Sequence, residues 1–190
     1  MKPKLAIFGD SFGVTDGNAQ SWIRRLEQNF FIQNYCICGI GEYKIWKQIE
    51  QVEIDQFDVV LVTHTSPTRV HVEYNPLHST SQYHQQCDII YADIAEHNNE
   101  FARACKQFFK HIYNETYQID MFNLVIEKIE NMLKVHPHVQ HITHFDYTGL
   151  HQPNGLVNFY DVFCEHRGNI NHYTPTGNDI VYNRLLQCLK

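Results

Sequence analysis

The 190-residue chain contains no apolar run long enough to cross a bilayer, and its first apolar run, residues 5–8, is too short for a signal-peptide core. A soluble, cytoplasmic protein with no membrane partner is the resulting expectation. There is no CxxC pair. Cys36 and Cys38 flank one residue of an apolar segment, and Cys87, Cys105, Cys164 and Cys188 are dispersed. A domain of this size needs no covalent staples, so all six cysteines are expected to be reduced. There is no basic stripe either; Lys and Arg are scattered and the net charge is −6, which argues against nucleic acid as a partner. No glycine-rich phosphate fingerprint follows the first apolar run, which disfavours nucleotide binding. Repeats, linkers and low-complexity segments are missing as well. With 43% hydrophobic and 19% charged residues, residues 1–190 read as one globular domain.

What is present alternates between strand and helix. LAIF at residues 5–8, closed by Gly9, reads as a strand buried on both faces. Ser21 is a candidate N-cap for a helix carrying Trp22, Ile23, Leu26 and Phe30. Residues 31–38 read as a second strand, and residues 43–52 as a helix with Ile45, Trp46, Ile49 and Val52 on one stripe. FDVVLV at 57–62 is a third, β-branched strand, ended by the Pro67 segment. Helical spacing then runs from 88 to 113, with a break near His97, and from 119 to 134. A fourth strand at 139–145 follows Pro137, residues 156–159 offer a short strand or turn, and 175–189 form a last amphipathic helix. Such alternation predicts an α/β fold with a mostly parallel sheet of about five strands and helices on both faces.

Thirteen histidines are unusual, and four of them fall at 136, 138, 141 and 144. On a strand, His141 and His144 point to opposite sides, so they cannot converge on one ion. No metal and no cofactor are expected.

The loops after the first three strands meet at the carboxyl edge of a parallel sheet, where open α/β sheets place their ligands. They carry Ser11, then Gly39 with Gly41, then His64, Thr65 and Ser66. Near the C-terminus, GNINHYTPTGN adds His172 just before the last helix. A hydroxyl, glycine amides, short polar side chains and an imidazole are the set that acyl transfer requires. The plainer reading of Gly9–Asp10–Ser11 is a strand-to-helix turn capped by Asp or Ser.

These residues resemble the sequence blocks of the SGNH/GDSL hydrolase family. GDSF at 9–12 is similar to the first block, NYCICGIGEYKI around Gly39 to the second, and NHYTPTGN with His172 to the last. THTSPTR falls where the family carries its third block, in a form similar to that of phage-associated members. The resemblance spans nearly the whole chain and implies a three-layer α/β/α sandwich with a flavodoxin-like sheet; the helical insert at about 75–134 reads first as plain packing against that sheet, with a wall or lid over the site as the more specialised alternative. The resemblance further implies Ser11 as nucleophile, His172 as base, and an oxyanion hole built from Ser11 and Gly39 with Thr65 or Ser66. The substrate would be a small-molecule acyl ester or a carbohydrate O-acetyl ester.

Two positions depart from the family pattern. Thr65 or Ser66 stands where the third block has an asparagine, and Asn169 stands where an acidic residue orients the histidine. Asn169 is therefore the expected orienter, with Asp146, Asp161 and Asp179 as other sources of negative charge. The alternative is an SGNH-fold binding or structural module whose catalytic set has weakened.

Overall fold

Leu5 and Ile7 belong to one face of the first strand and Ala6 and Phe8 to the other, and all four are fully buried. This two-sided burial is the reason the run is continuous rather than alternating. The computed structural model describes residues 1–15, 20–168 and 172–189. Its sheet has strands β1 (Lys4–Gly9), β2 (Phe31–Asn34), β3 (Val59–His64), β4 (Val139–Thr143) and β5 (Val157–Asn158). All neighbours are parallel and the order is β2-β1-β3-β4-β5, the flavodoxin-like arrangement.

Helices α1 (Trp22–Leu26), α6 (Tyr160–Glu165) and α7 (Pro175–Cys188) cover the face formed by Leu5, Ile7, Leu61 and Ile142. Helices α2 (Glu42–Glu50) and α5 (Glu115–Leu133) cover the face formed by Ala6, Phe8, Val60 and Val62. The result is a three-layer α/β/α sandwich. Two further helices, α3 (Tyr91–Ala95) and α4 (Glu100–His111), pack on each other in a smaller cluster around Ile89, Ile94, Ala102 and Cys105. No helix among the described residues is long and apolar enough to cross a membrane.

The helix starts follow their capping residues. Ser21, Asn99, Asn114 and Thr174 each accept a hydrogen bond from a first-turn amide. The break at residues 96–99 between α3 and α4 falls at the predicted interruption near His97. Several elements are shorter than the apolar pattern predicts, among them β4, which ends at Thr143, and α2, which ends at Glu50. Strand β2 ends at Asn34, whose side chain accepts from the Cys36 amide and donates to the Gly13 carbonyl. The chain nevertheless continues beside β1, because Tyr35 and Ile37 donate to the carbonyls of Ile7 and Gly9. Helix α1 ends at Leu26, and Phe30 is buried from a turn.

At the end of β1, Gly9 adopts a φ of +152° and its backbone lies against Thr63 of β3, so a Cβ there would overlap the Thr63 side chain. Gly9→Ala combines this clash with a conformation that L residues avoid. The variant should lose at least about 3 kcal/mol of unfolding free energy in urea titration. A loss under about 1 kcal/mol would mean that the β1–β3 approach is looser than described.

Candidate functional site

Asp10 is fully buried and its Oδ1 accepts the Phe12 amide at 3.0 Å, closing a single 3-10 turn over Ser11–Gly13. Phe12 anchors this turn from below. Its ring stacks on His144 at 4.5 Å, lies 5.5 Å from the His172 ring, and its carbonyl accepts Trp22 Nε1–H at 3.1 Å. The turn leaves Ser11 only partly buried. Among the described residues the Ser11 hydroxyl has no hydrogen-bond partner, and catalytic hydrogen bonds in empty sites are commonly loose.

A polar knot joins the loops that follow three strands. The Thr65 hydroxyl donates to Asp10 Oδ2 at 2.8 Å, and Arg69 Nε donates to Thr65 Oγ1 at 3.1 Å. Arg69 Nη1 donates to the Gly39 carbonyl at 2.8 Å, and its Nη2 lies 3.9 Å from Asp10 Oδ2. The Gly39 carbonyl also accepts the Asp88 amide, and Gly39 holds a φ of +72° with Cys87 where a Cβ would go. Burial pushes the Asp10 carboxyl above its ordinary range; Arg69 opposes this most, then the Thr65 and Phe12 hydrogen bonds, then the charge of His172.

Behind the knot runs a second buried chain. Glu42 Oε1 lies 2.6 Å from His64 Nδ1, and His64 Nε2 lies 2.9 Å from His141 Nδ1. The other Glu42 oxygen accepts the Thr65 amide at 3.2 Å, while the Tyr147 hydroxyl donates to the Thr65 carbonyl at 2.9 Å. Both donors of Thr65 are therefore engaged, to Asp10 and Glu42, and its side chain is fully buried. Ser66, the next residue, faces open space, with its hydroxyl 3.0 Å from that of Thr68.

That space is a cavity of about 530 Å³, and Ser11, Gly39, Ser66 and His172 all line it together with Arg69 and His84. Four of the residues singled out from the sequence are thus brought together from four segments, whereas Thr65 lies behind the lining. Asn169 lies outside the described residues. The other acidic candidates are engaged elsewhere: Asp161 pairs with Arg184, Asp179 with Arg25, and Asp146 accepts the Thr148 amide. The charge of His172 is the smallest of the influences that lower the Asp10 carboxyl. Sequence reasoning treated Asp10 as a turn residue and passed over Arg69 and Glu42. The only local signal for Arg69 was its place in TSPTR, and Glu42 lies one residue before the helix expected at 43–52.

His141 and His144 do point to opposite faces of the sheet, one to His64 and the other to Phe12 and Tyr173. His136 pairs with Asp55 instead. Among the described residues no group of three or more His, Cys, Asp or Glu is arranged to hold a metal ion.

Strand order β2-β1-β3-β4-β5 defines a flavodoxin-like α/β protein, and the cavity at the carboxyl ends of β1 and β3 lies at its topological switch point. A gut microbial diltiazem-metabolizing enzyme superposes on this chain with a TM-score of 0.50 at 14% identity, over 99% of this chain and 47% of that one. The chain spans about half the length of that structure, and at this identity the likeness is one of fold. No family model and no curated protein matches the sequence.

Burial holds His141 and His144 down to about 3, with His64 adding to the effect on His141 and His172 to that on His144. Both are neutral in the folded protein and titrate near 6.5 when unfolded, so the unfolded chain binds more protons as the medium is acidified. Their contribution to stability is complete above pH ~6.5 and is lost as pH falls toward 3, at about 1 kcal/mol per pH unit for each. His144→Phe keeps the stack on Phe12 but removes one titrating group. Unfolding free energy measured from pH 6 to 4 should fall less steeply in the variant by about that amount; an unchanged slope would reject the assignment.

Proposed function

We propose that this protein is a serine hydrolase of the SGNH/GDSL type that cleaves carboxylic esters. The observation that carries the reading is the meeting of Ser11, Gly39, Ser66 and His172 on one cavity at the carboxyl end of the sheet. That the fold neighbour is an enzyme agrees with this reading in class.

In the proposed reaction His172 takes the Ser11 proton as Oγ bonds to the ester carbonyl carbon. The carbonyl electron pair moves to oxygen, and the resulting oxyanion accepts hydrogen bonds from the amides of Ser11 and Gly39 and from the Ser66 hydroxyl. Collapse expels the alcohol, which takes the proton from His172. Water then attacks the acyl-enzyme, giving its proton to His172, and release of the acid returns that proton to Ser11. Asp10, buried behind the turn, is a carboxyl within electrostatic reach of the imidazole. Arg69 holds the Gly39 carbonyl, which fixes the Gly39–Ile40 peptide next to the donor amide. Acyl esters and carbohydrate O-acetyl esters are the substrates this chemistry suits.

A fluorophosphonate probe should label wild-type protein at Ser11, and Ser11→Ala should abolish both the label and hydrolysis of p-nitrophenyl acetate. His172→Ala should lower turnover by at least ~10³-fold. Hydrolysis by wild type no faster than by Ser11→Ala would favour the alternative, a binding or structural module on the same fold.

Ser66→Ala tests the third oxyanion donor separately. Loss of one such donor costs ~10²–10³ in kcat, with KM little changed. An effect below threefold would leave the two backbone amides as the whole hole.

A further inference from the structure

A second cavity, of about 600 Å³, lies on the other side of Ser66 and Arg69, which line both cavities. Its floor is polar but already satisfied. Asp88 accepts the Gly41 amide at 2.6 Å and pairs with Lys44 at 2.8 Å, Glu42 is engaged by His64 and Thr65, and Gln118 donates to the Arg69 carbonyl at 2.9 Å. A charged ligand would find no unmatched partner among these groups.

The walls are of the opposite character. Tyr43 comes from α2, Phe108 from α4, Ile112 and Tyr113 from the turn after it, and Tyr117 and Met121 from α5. Of these, Ile112 is 71% exposed, Tyr117 63%, and Tyr43 and Met121 39% each. Large apolar side chains left in water are scattered singly on ordinary surfaces, whereas here four converge on one concavity. A concave, mostly apolar site of this volume with a few fixed polar groups matches a small-molecule pocket. Water gains little from such walls, and an apolar ligand removes them from it.

Resting on the hydrolase reading above, we infer that this cavity receives the apolar part of the ester, so that the preferred substrates carry a medium-length alkyl or an aromatic group rather than a bare acetyl group. The shared wall supplies the connection. Ser66 and Arg69, which ties the Gly39 carbonyl, line the cavity that holds Ser11, and both residues also border the apolar space. Helix α5 buries Ile129 and Leu133 against the sheet and Phe122 and Ile126 against Tyr147, and presents Tyr117 and Met121 to substrate.

The test uses the full chain with Met121→Trp, which fills the cavity from an exposed position, and Ile112→Glu, which places a charge on its rim. Octan-1-ol is the binding probe, followed by calorimetry; p-nitrophenyl octanoate and p-nitrophenyl acetate are the substrates. Octan-1-ol should bind wild type and Ser11→Ala alike and bind either cavity variant at least about tenfold more weakly. The same variants should lower kcat/KM for the octanoate by about tenfold while leaving the acetate within twofold. Full acetate hydrolysis with octan-1-ol binding and octanoate preference unchanged by both variants would overturn the inference and leave the hydrolase standing. Octan-1-ol binding that both variants weaken, in a protein that hydrolyses neither ester, would uphold the apolar ligand site and overturn the hydrolase.

Discussion

Arg69 and the buried carboxyl of Asp10 hold together loops that the sheet alone would leave independent. Parallel strands end on one edge, but nothing in their ladder dictates how the following residues turn. The chain Asp10–Thr65–Arg69–Gly39 links the loops after β1, β2 and β3 through side-chain bonds of 2.8–3.1 Å. A carboxyl taken wholly out of water is costly unless it is paired and hydrogen-bonded. Asp10 meets that condition only in the arrangement where Thr65, Arg69 and the Phe12 amide all reach it. The same arrangement leaves Ser11 partly exposed and fixes the Gly39 carbonyl. The site's geometry and the burial of one charge are therefore a single constraint.

The Glu42–His64–His141 chain extends this constraint to the opposite face of the sheet. It holds the Thr65 amide from behind while Tyr147 holds the carbonyl, so Thr65 serves as the fixed centre and Ser66 as the exposed neighbour. Buried polar networks of this kind are specific because each member is worse off in any other packing. Burial keeps His141 and His144 neutral in two different settings: His141 is inside this chain, and His144 sits between aromatic rings.

Much of the candidate site was legible in the sequence because its residues sit next to structural punctuation. Ser11 follows a buried strand and a glycine, Gly39 follows the second strand, Ser66 precedes a proline, and His172 precedes a capped helix with Pro175 at its start. Each of those signals is local. Asp10, Glu42 and Arg69 carry no such signal, because their roles come from partners far away in the chain. Equally, Thr65 and Ser66 could not be told apart from sequence. Adjacent residues leaving a strand face opposite ways, and which of them meets the cavity depends on the twist of the loop that Glu42 and Tyr147 hold.

The amino-acid pattern by itself determined the α/β sandwich. Two-sided burial of β1 and β3 and the helix caps are properties of short segments, written in hydrophobic period and in single polar residues. Only the tertiary structure decided which charges are buried together and which exposed apolar side chains converge. A buried carboxylate chooses its partners by distance across loops, and the walls of a cavity come from helices whose separation depends on how the whole insert packs.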